Sequence, residues 1–247
     1  MRVEEGVHLV MSGGGGFDLT EAFDCNAFLI DAGNGEQVLF DAGAGRDPGA
    51  VAAVLAADGI DPRTIRHLFL THGHADHSGG ARGLRDQLGL QVHAGPLTAP
   101  MVAGGDERAI SLDRARAAGI YPADYRYRAC PVDHVLSAAA PTTIGALTVT
   151  MIETPGHSAD HVSFVVERKG RRWLVGGDAL FYGGKVAIQD IADCNIGQVC
   201  ASVRKLAAIE FDALLPGHLN FTLRNGRRHA DAALAYVEKF ACPPSII

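Results

Sequence analysis

Four potential metal ligands fall within six consecutive residues of the stretch Thr71-His72-Gly73-His74-Ala75-Asp76-His77-Ser78-Gly79-Gly80. Imidazole nitrogens and a carboxylate in such density are the donors that divalent transition metals prefer. A fully structural zinc site closes with four cysteine or histidine ligands. This cluster mixes imidazole with carboxylate and needs donors from elsewhere in the chain, which is the signature of a catalytic centre. The alternatives are a polar loop with an accidental excess of histidine, or one structural zinc.

The element that must carry these residues is the apolar run Arg66-His67-Leu68-Phe69-Leu70, which reads as a buried strand. Side chains alternate along extended backbone, so His72 and His74 would project to the same side if the strand geometry persists. Both could then hold one ion. Adjacent Asp76 and His77 point elsewhere and suit a second ion, and a helix is expected over Ser78 to Leu88.

The same theme recurs three times. Leu147 to Glu153 runs into Thr154-Pro155-Gly156-His157-Ser158-Ala159-Asp160-His161, Arg172 to Gly177 runs into Asp178, and Ala213 to Pro216 runs into Gly217-His218. Each apolar strand ends in a glycine-containing turn that presents a ligand type, and glycine lets backbone turn sharply and approach closely. Further strands are expected over Gly6 to Met11, Cys25 to Asp31, Gln37 to Asp41 and Leu90 to His93, with a helix over Ala50 to Ala57. Ser12 to Asp18, with four consecutive glycines, reads as a mobile loop, and the segment 96 to 127 as a mostly helical insertion. Phe17 and Phe23 are candidates to wall a substrate pocket beside that insertion.

Composition bounds the rest. With 247 residues, 47% hydrophobic and 20% charged, the chain reads as one globular domain spanning 1 to 247. A formal net charge of −6 argues against a nucleic-acid partner, since phosphate contacts need clustered Lys and Arg. No stretch reads as a membrane span or signal peptide, so a cytoplasmic location is expected. Five scattered cysteines do not form a disulfide framework and read as small buried hydrophobes. The expected partner is a small-molecule substrate, and the oligomeric state stays open, a homodimer included.

The set His72, His74, Asp76, His77, His157, Asp178 and His218, in this order and with these flanking turns, resembles the metallo-β-lactamase superfamily of metal-dependent hydrolases. The resemblance runs roughly from Cys25 to His218 and implies an α/β fold, a four-layer αββα sandwich with a binuclear site at the edge of its sheets. It implies that His72, His74 and His157 hold a first metal and Asp76, His77 and His218 a second. Asp178 and a hydroxide would bridge the two, with zinc the first choice of metal and iron or manganese the alternatives. Asp76 is a candidate to take up the proton after attack, and His161 to orient a ligand from behind.

Within the superfamily the bridging Asp178 is closer to glyoxalase II and the lactonases than to class B β-lactamases. Glyoxalase II carries a larger helical glutathione-binding domain, whereas a short tail follows His218 here. Lactonases place a tyrosine shortly after the bridging aspartate; Tyr182 departs from that register by one residue and is a candidate to hydrogen-bond a substrate carbonyl. The expected activity is zinc-dependent hydrolysis of a small ester, lactone or thioester. The alternatives are a mononuclear iron oxidoreductase resembling the persulfide dioxygenases, and a β-lactamase-like amide hydrolase.

Overall fold

The computed structural model describes residues 1–247, which divide into two compact units, Met1–Leu136 and Ser137–Ile247. The first unit holds, in chain order, β1 (Arg2–Glu4), β2 (Val7–Met11), β3 (Ala27–Gly33), β4 (Glu36–Phe40), α1 (Pro48–Ala57), β5 (Ile65–Leu70), α2 (Ala75–Ser78), α3 (Ala81–Leu88), β6 (Gln91–Ala94), α4 (Thr98–Gly104), α5 (Leu112–Ala117) and β7 (His134–Val135). Its seven strands lie side by side in sequence order. The pairs from β1 to β4 are antiparallel and those from β4 to β7 parallel. Parallel neighbours need a crossover, which is what the helices between them supply.

The helices sit where their sequence allows. Asp47 caps α1 by accepting from the backbone N–H groups of Gly49 and Ala50, with Pro48 in the first turn where a missing N–H costs nothing. Val51, Val54 and Leu55 of α1 and Ala81 and Leu84 of α3 then pack on Leu39, Leu68, Leu70 and Val92 of the sheet.

The second unit holds β8 (Thr142–Ile144), β9 (Leu147–Glu153), β10 (Val162–Arg168), β11 (Arg171–Gly177), α6 (Ile196–Ala207), β12 (Ala213–Pro216) and α7 (Arg227–Val237). Its sheet runs β12-β11-β10-β9-β8, antiparallel except for the β11–β12 pair that α6 connects. Asn195 caps α6 through the Gln198 N–H, and Val199, Val203 and Leu206 of that helix pack with Leu174, Leu214 and Ala230. No helix of either unit is long and apolar enough to cross a membrane.

The single helix expected over Ser78 to Leu88 is instead two, α2 and α3, and the first begins inside the ligand motif at Ala75. The break falls at Gly79-Gly80, where backbone crowds in from outside. A Cβ on Gly80 would lie 2.0 Å from the Ala42 carbonyl oxygen, and one on Gly79 would lie 2.3 Å from the Tyr125 hydroxyl. The Ser12–Asp18 stretch also differs from the mobile loop expected of it. Ser12 Oγ donates to Asn26 Oδ1 at 2.6 Å and accepts from Phe17 N at 2.7 Å, while Leu19 N donates to Ser12 O at 2.6 Å. Its glycines serve close packing: a Cβ on Gly13 would meet Ala22 O at 2.5 Å and one on Gly16 would meet Ser12 Oγ at 2.3 Å. The 96–127 segment contains only α4 and α5 as helices, the remainder being turns and extended chain.

Candidate metal centre

In the first unit the parallel strands β4 and β5 end side by side, so that Asp41 and Thr71 follow directly from their last residues. Asp41 is buried, at 1% exposure, and adopts φ of 62°, a left-handed conformation that aspartate tolerates better than most residues. Its carboxylate accepts from Thr71 N at 2.8 Å, from Thr71 Oγ1 at 2.9 Å and from His77 Nδ1 at 2.9 Å. Asp41 thereby ties the start of the ligand loop to its end. With Nδ1 held this way, His77 offers Nε2 as its donor, which lies 3.7 Å from Asp76 Oδ2. His72 Nδ1 is 3.0 Å from Thr71 Oγ1, and the His72 ring is 4.6 Å from that of His74 and 4.2 Å from that of His77, centroid to centroid.

Backbone contacts fix the rest of the loop. Ala42 N donates to His77 O at 2.7 Å, Cys25 N to Asp76 O at 3.2 Å, and Ser78 Oγ to Gly73 O at 2.8 Å. Donor atoms of Cys25, Asp41 and His77 lie within 4.8 Å of one another. Burial pushes the Cys25 thiol up to about 12, so this cysteine stays protonated, and Asp41 is already committed to its donors. That trio supports His77 rather than forming a site of its own.

The insertion bolts onto this loop through tyrosines. Tyr125 donates to Ala44 O at 2.7 Å, and the hydroxyls of Tyr127 and Ser78 are 2.7 Å apart. Tyr121 stacks between Phe23 and Tyr125, with ring centroids 5.1 Å from each. Burial foremost, then the neighbouring Asp76 carboxylate, push the Tyr121 phenol far up, so that it remains a donor beside Asp76. These rings, with Ile110, Leu112 and Ala75, make a separate apolar cluster.

In the second unit three strand ends present the other ligand types. Asp178 follows β11, and its Oδ2 lies 3.5 Å from His157 Nε2 and 3.6 Å from His218 Nε2. His157 Nδ1 is directed to Ala187 O at 3.3 Å, which again leaves Nε2 as the donor facing the carboxylate. His161 stands behind: its Nε2 accepts from the Asp178 backbone N–H at 2.9 Å, and its Nδ1 is 2.9 Å from Thr154 Oγ1. An Nε2 that accepts leaves the proton on Nδ1, so His161 is the neutral tautomer donating to Thr154. The turn before His157 depends on Gly156, whose φ is 140° and whose Cβ, if present, would lie 2.4 Å from Val199 N.

These spacings are informative. Two donors bonded at 2.0–2.2 Å to one tetrahedral ion lie about 3.4 Å apart. The His157–Asp178, His218–Asp178 and His77–Asp76 separations of 3.5, 3.6 and 3.7 Å are close to that value and longer than ordinary hydrogen bonds. The donor chemistry and spacing within each unit therefore fit a divalent ion.

Of the residues named for the pocket wall, Phe17 is 40% exposed on its turn, and Phe23 lies under the Arg46 guanidinium, 5.0 Å away, against Tyr121. Tyr182 is 40% exposed, packs on His229 at 4.4 Å and accepts from Arg228 at 3.3 Å, while its neighbour Phe181 is the ring that faces His218, at 6.5 Å. From sequence, Asp41 is expected only as the end of a strand, a lone carboxylate after the apolar run Val38-Leu39-Phe40, and Tyr121 only as one of the insertion's aromatics that could wall a pocket.

Fold and site together define the class. Residues 20–218 match the model of the metallo-beta-lactamase superfamily, and the chain belongs to that family. Among characterised relatives, a hydroxyacylglutathione hydrolase of Anaeromyxobacter dehalogenans is 35% identical over 65% of this chain and 48% of its own length. One of Cereibacter sphaeroides is 28% identical over 83% of this chain and 66% of its own. The chain thus spans roughly half to two thirds of the length of these relatives. The subclass B3 metallo-beta-lactamase BJP-1 of Bradyrhizobium japonicum superposes with a TM-score of 0.67 at 21% identity, covering 87% of this chain and 86% of that one. A metallo-beta-lactamase of Cronobacter sakazakii gives 0.69 at 19%, covering 88% and 80%. At these identities the structural likeness speaks to fold alone, which is the two-sheet α/β fold of the family that the ligand motifs implied.

Proposed function

We propose that the protein is a binuclear metal-dependent hydrolase of a small acyl compound, an ester, lactone or thioester, with zinc as the expected metal. The observation that carries this reading is the position of Asp178 Oδ2, nearly equidistant from the imidazole donors of His157 and His218. One carboxylate oxygen serving two histidines is what a bridging ligand requires. In this reading His72, His74 and His157 would hold one ion and Asp76, His77 and His218 the other, with Asp178 available to both.

When bound, a pair of divalent ions would lower the pKa of a water toward neutrality and polarise a carbonyl. The chain's own residues keep the donors in place and move the proton. Asp41 and the Ala187 carbonyl fix the tautomers of His77 and His157 so that Nε2 is the free lone pair of each. His161 fixes the backbone of Asp178. Asp76, beside the neutral Tyr121 phenol, is placed to receive the proton released on attack, and Tyr121 steadies that carboxylate by donation. Relatives named as hydroxyacylglutathione hydrolases act on an acyl–sulfur bond, which favours a thioester within the proposed class without implying the glutathione group.

Metal analysis of the purified protein and one substrate panel test the reading. The expectation is two zinc per chain, with highest catalytic efficiency on an acyl thioester, homoserine lactone or aryl ester. Highest efficiency on a cephalosporin or single-stranded RNA overturns the substrate class. One iron per chain with oxygen-dependent turnover of a persulfide overturns the binuclear hydrolase.

A further inference from the structure

Within the second unit a row of polar side chains runs between the loop of His157 and the turn of Asp178. Thr154, His161 and Ser163 are all buried, so their polar atoms must find partners inside the protein. His161 Nε2 is 2.9 Å from Asp178 N, His161 Nδ1 2.9 Å from Thr154 Oγ1, Thr154 Oγ1 3.0 Å from Ser163 Oγ, and Ser163 Oγ 3.1 Å from Gly176 O. The two ends settle every proton between them. An amide N–H only donates, so His161 Nε2 is the lone pair and Nδ1 carries the hydrogen given to Thr154. A carbonyl oxygen only accepts, so the Ser163 hydroxyl gives its hydrogen to Gly176 O and receives that of Thr154. All the bonds therefore point one way, from Asp178 through His161, Thr154 and Ser163 to Gly176.

Both ends lie on the turn that presents Asp178. Gly177 between them has φ of 50°, Gly176 O also accepts from Ala179 N at 3.2 Å, and Gly177 O accepts from Gly217 N, next to His218, at 2.8 Å. On the other side, Thr154 and His161 close the base of the loop that bears His157, with Thr154 N donating to His161 O at 3.1 Å. The row thus joins the base of one ligand's loop to both flanks of another ligand's turn. His157 Nε2 and Asp178 Oδ2 face each other at 3.5 Å across that joint.

We propose that Thr154 and Ser163 are positioning residues whose hydroxyls, ordered in one direction, fix the His161 tautomer and so set the Asp178 carboxylate against His157. The inference rests on the reading of His157 and Asp178 as metal ligands. Neither hydroxyl is itself a proposed ligand; both act through His161. Ser163 matters because it holds the Thr154 hydrogen away from the imidazole. Once released, the threonine hydroxyl can turn and donate to His161 Nδ1, and the imidazole proton then belongs on Nε2. There it meets the Asp178 N–H, two donors oppose each other, and the turn has to give way.

The test uses the full chain, with and without zinc, and three variants. Thr154→Val keeps the shape and drops the hydroxyl, Thr154→Ser keeps the hydroxyl, and Ser163→Ala carries the test if Thr154→Val does not fold. Long-range proton–nitrogen NMR reads the His161 tautomer, hydrogen exchange the Asp178 amide, competition with a chromophoric chelator the zinc affinity, and urea unfolding of the metal-free chain its stability. The wild type should carry the His161 hydrogen on Nδ1. Thr154→Val and Ser163→Ala should each speed exchange of the Asp178 amide about tenfold, the loss of one hydrogen bond, and weaken zinc binding by about 10- to 100-fold, the range for orienting partners. Ser163→Ala should also show the Nε2–H tautomer, and Thr154→Ser should restore wild-type behaviour. A wild-type hydrogen on Nε2, unaltered Asp178 exchange in the variants, or a Thr154→Ser chain no better than Thr154→Val overturns the proposal. So does lowered urea stability with tautomer, exchange and zinc affinity all as in the wild type, the mark of a merely structural hydrogen bond. A wild-type chain that binds no zinc refutes the metal-ligand reading instead, while tautomer and exchange still decide what the hydroxyls do.

Discussion

Replacing Asp41 by asparagine changes almost no volume and replaces no proposed metal ligand, yet it should weaken metal binding. Asp41 Oδ1 takes the Thr71 N–H and Oδ2 takes His77 Nδ1 and the Thr71 hydroxyl, all between 2.8 and 3.1 Å. An asparagine can keep its oxygen toward Thr71 N only by presenting its NH2 to His77 Nδ1. Two donors then face each other. The imidazole escapes by moving its proton to Nε2, the atom needed for the ion. Loss of such an orienting partner costs about 10- to 100-fold in metal affinity, or about 1.4 to 2.8 kcal/mol. The fold should lose about as much again, since a buried charge-assisted hydrogen bond contributes about 1.5 to 3 kcal/mol. Competition with a chromophoric zinc chelator measures the affinity, and urea unfolding of the metal-free protein measures the stability. Asp41→Asn with wild-type zinc affinity and an altered fold would falsify the tautomer argument. Wild-type values of both would remove any role for this carboxylate.

Asp178→Ala should lose more than a thousandfold in activity while circular dichroism stays that of a folded protein, because the sheets are built from the apolar strands and the carboxylate from a turn; a globally unfolded variant would mean a structural site. Gly156→Ala should destabilise by several kcal/mol, since φ of 140° and a 2.4 Å approach to Val199 N leave no room for a methyl group, and a thermal midpoint within a degree or two of wild type would contradict the packing. His93 governs an acid response: it is buried, its Nδ1 lacks a hydrogen-bond partner, and desolvation foremost, then His134 and His67, lower its pKa to about 3. Unfolded, it binds a proton near pH 6.5 and, folded, only near 3, so stability falls as pH drops below 6.5, by about 1.4 kcal/mol per pH unit or about 2 kcal/mol by pH 5. His93→Phe, which keeps the stack on Phe69, should flatten that fall in urea titrations at pH 7.5 and 5, and an unchanged slope would show that another group is responsible.

His72, His157, Asp178 and His218 were legible in the sequence because each follows an apolar strand and sits beside a glycine, and Asp76 and His77 because they crowd the same loop as His72 and His74. The strands β5, β9, β11 and β12 were legible for the same reason. Asp41 escaped notice because one carboxylate after one strand looks like any turn residue until Thr71 and His77 are seen to share it. The early start of the helix at Ala75 was hidden because tertiary packing decides it, with Ala42 and Tyr125 pressing on Gly79-Gly80. The glycines at 13 to 16 suggested mobility by composition, whereas a backbone approach from Ala22 and Glu21 is what requires one of them. That Cys200 and Cys242 pack on one core emerges only when α6 and α7 pack, and no spacing along the chain encodes that.

The tyrosine fastenings of the insertion bear on how this site could diversify. Between Tyr127 and Ser78, and between Tyr125 and Ala44, the attachment is made by single hydroxyl groups rather than by strand pairing. The turns between α4 and α5 and after α5 carry exposed residues such as Ile120 that take no part in these bolts. Substitutions at the exposed positions there can accumulate with little penalty, while buried Ile110 and Leu112 and the Glu107 carboxylate that accepts from Tyr127 N keep the support of the loop bearing Asp76 and His77. Evolution, or a laboratory library confined to the exposed positions of residues 104–120, thus has a surface to vary while Ile110, Leu112, Glu107 and Arg116 are left alone.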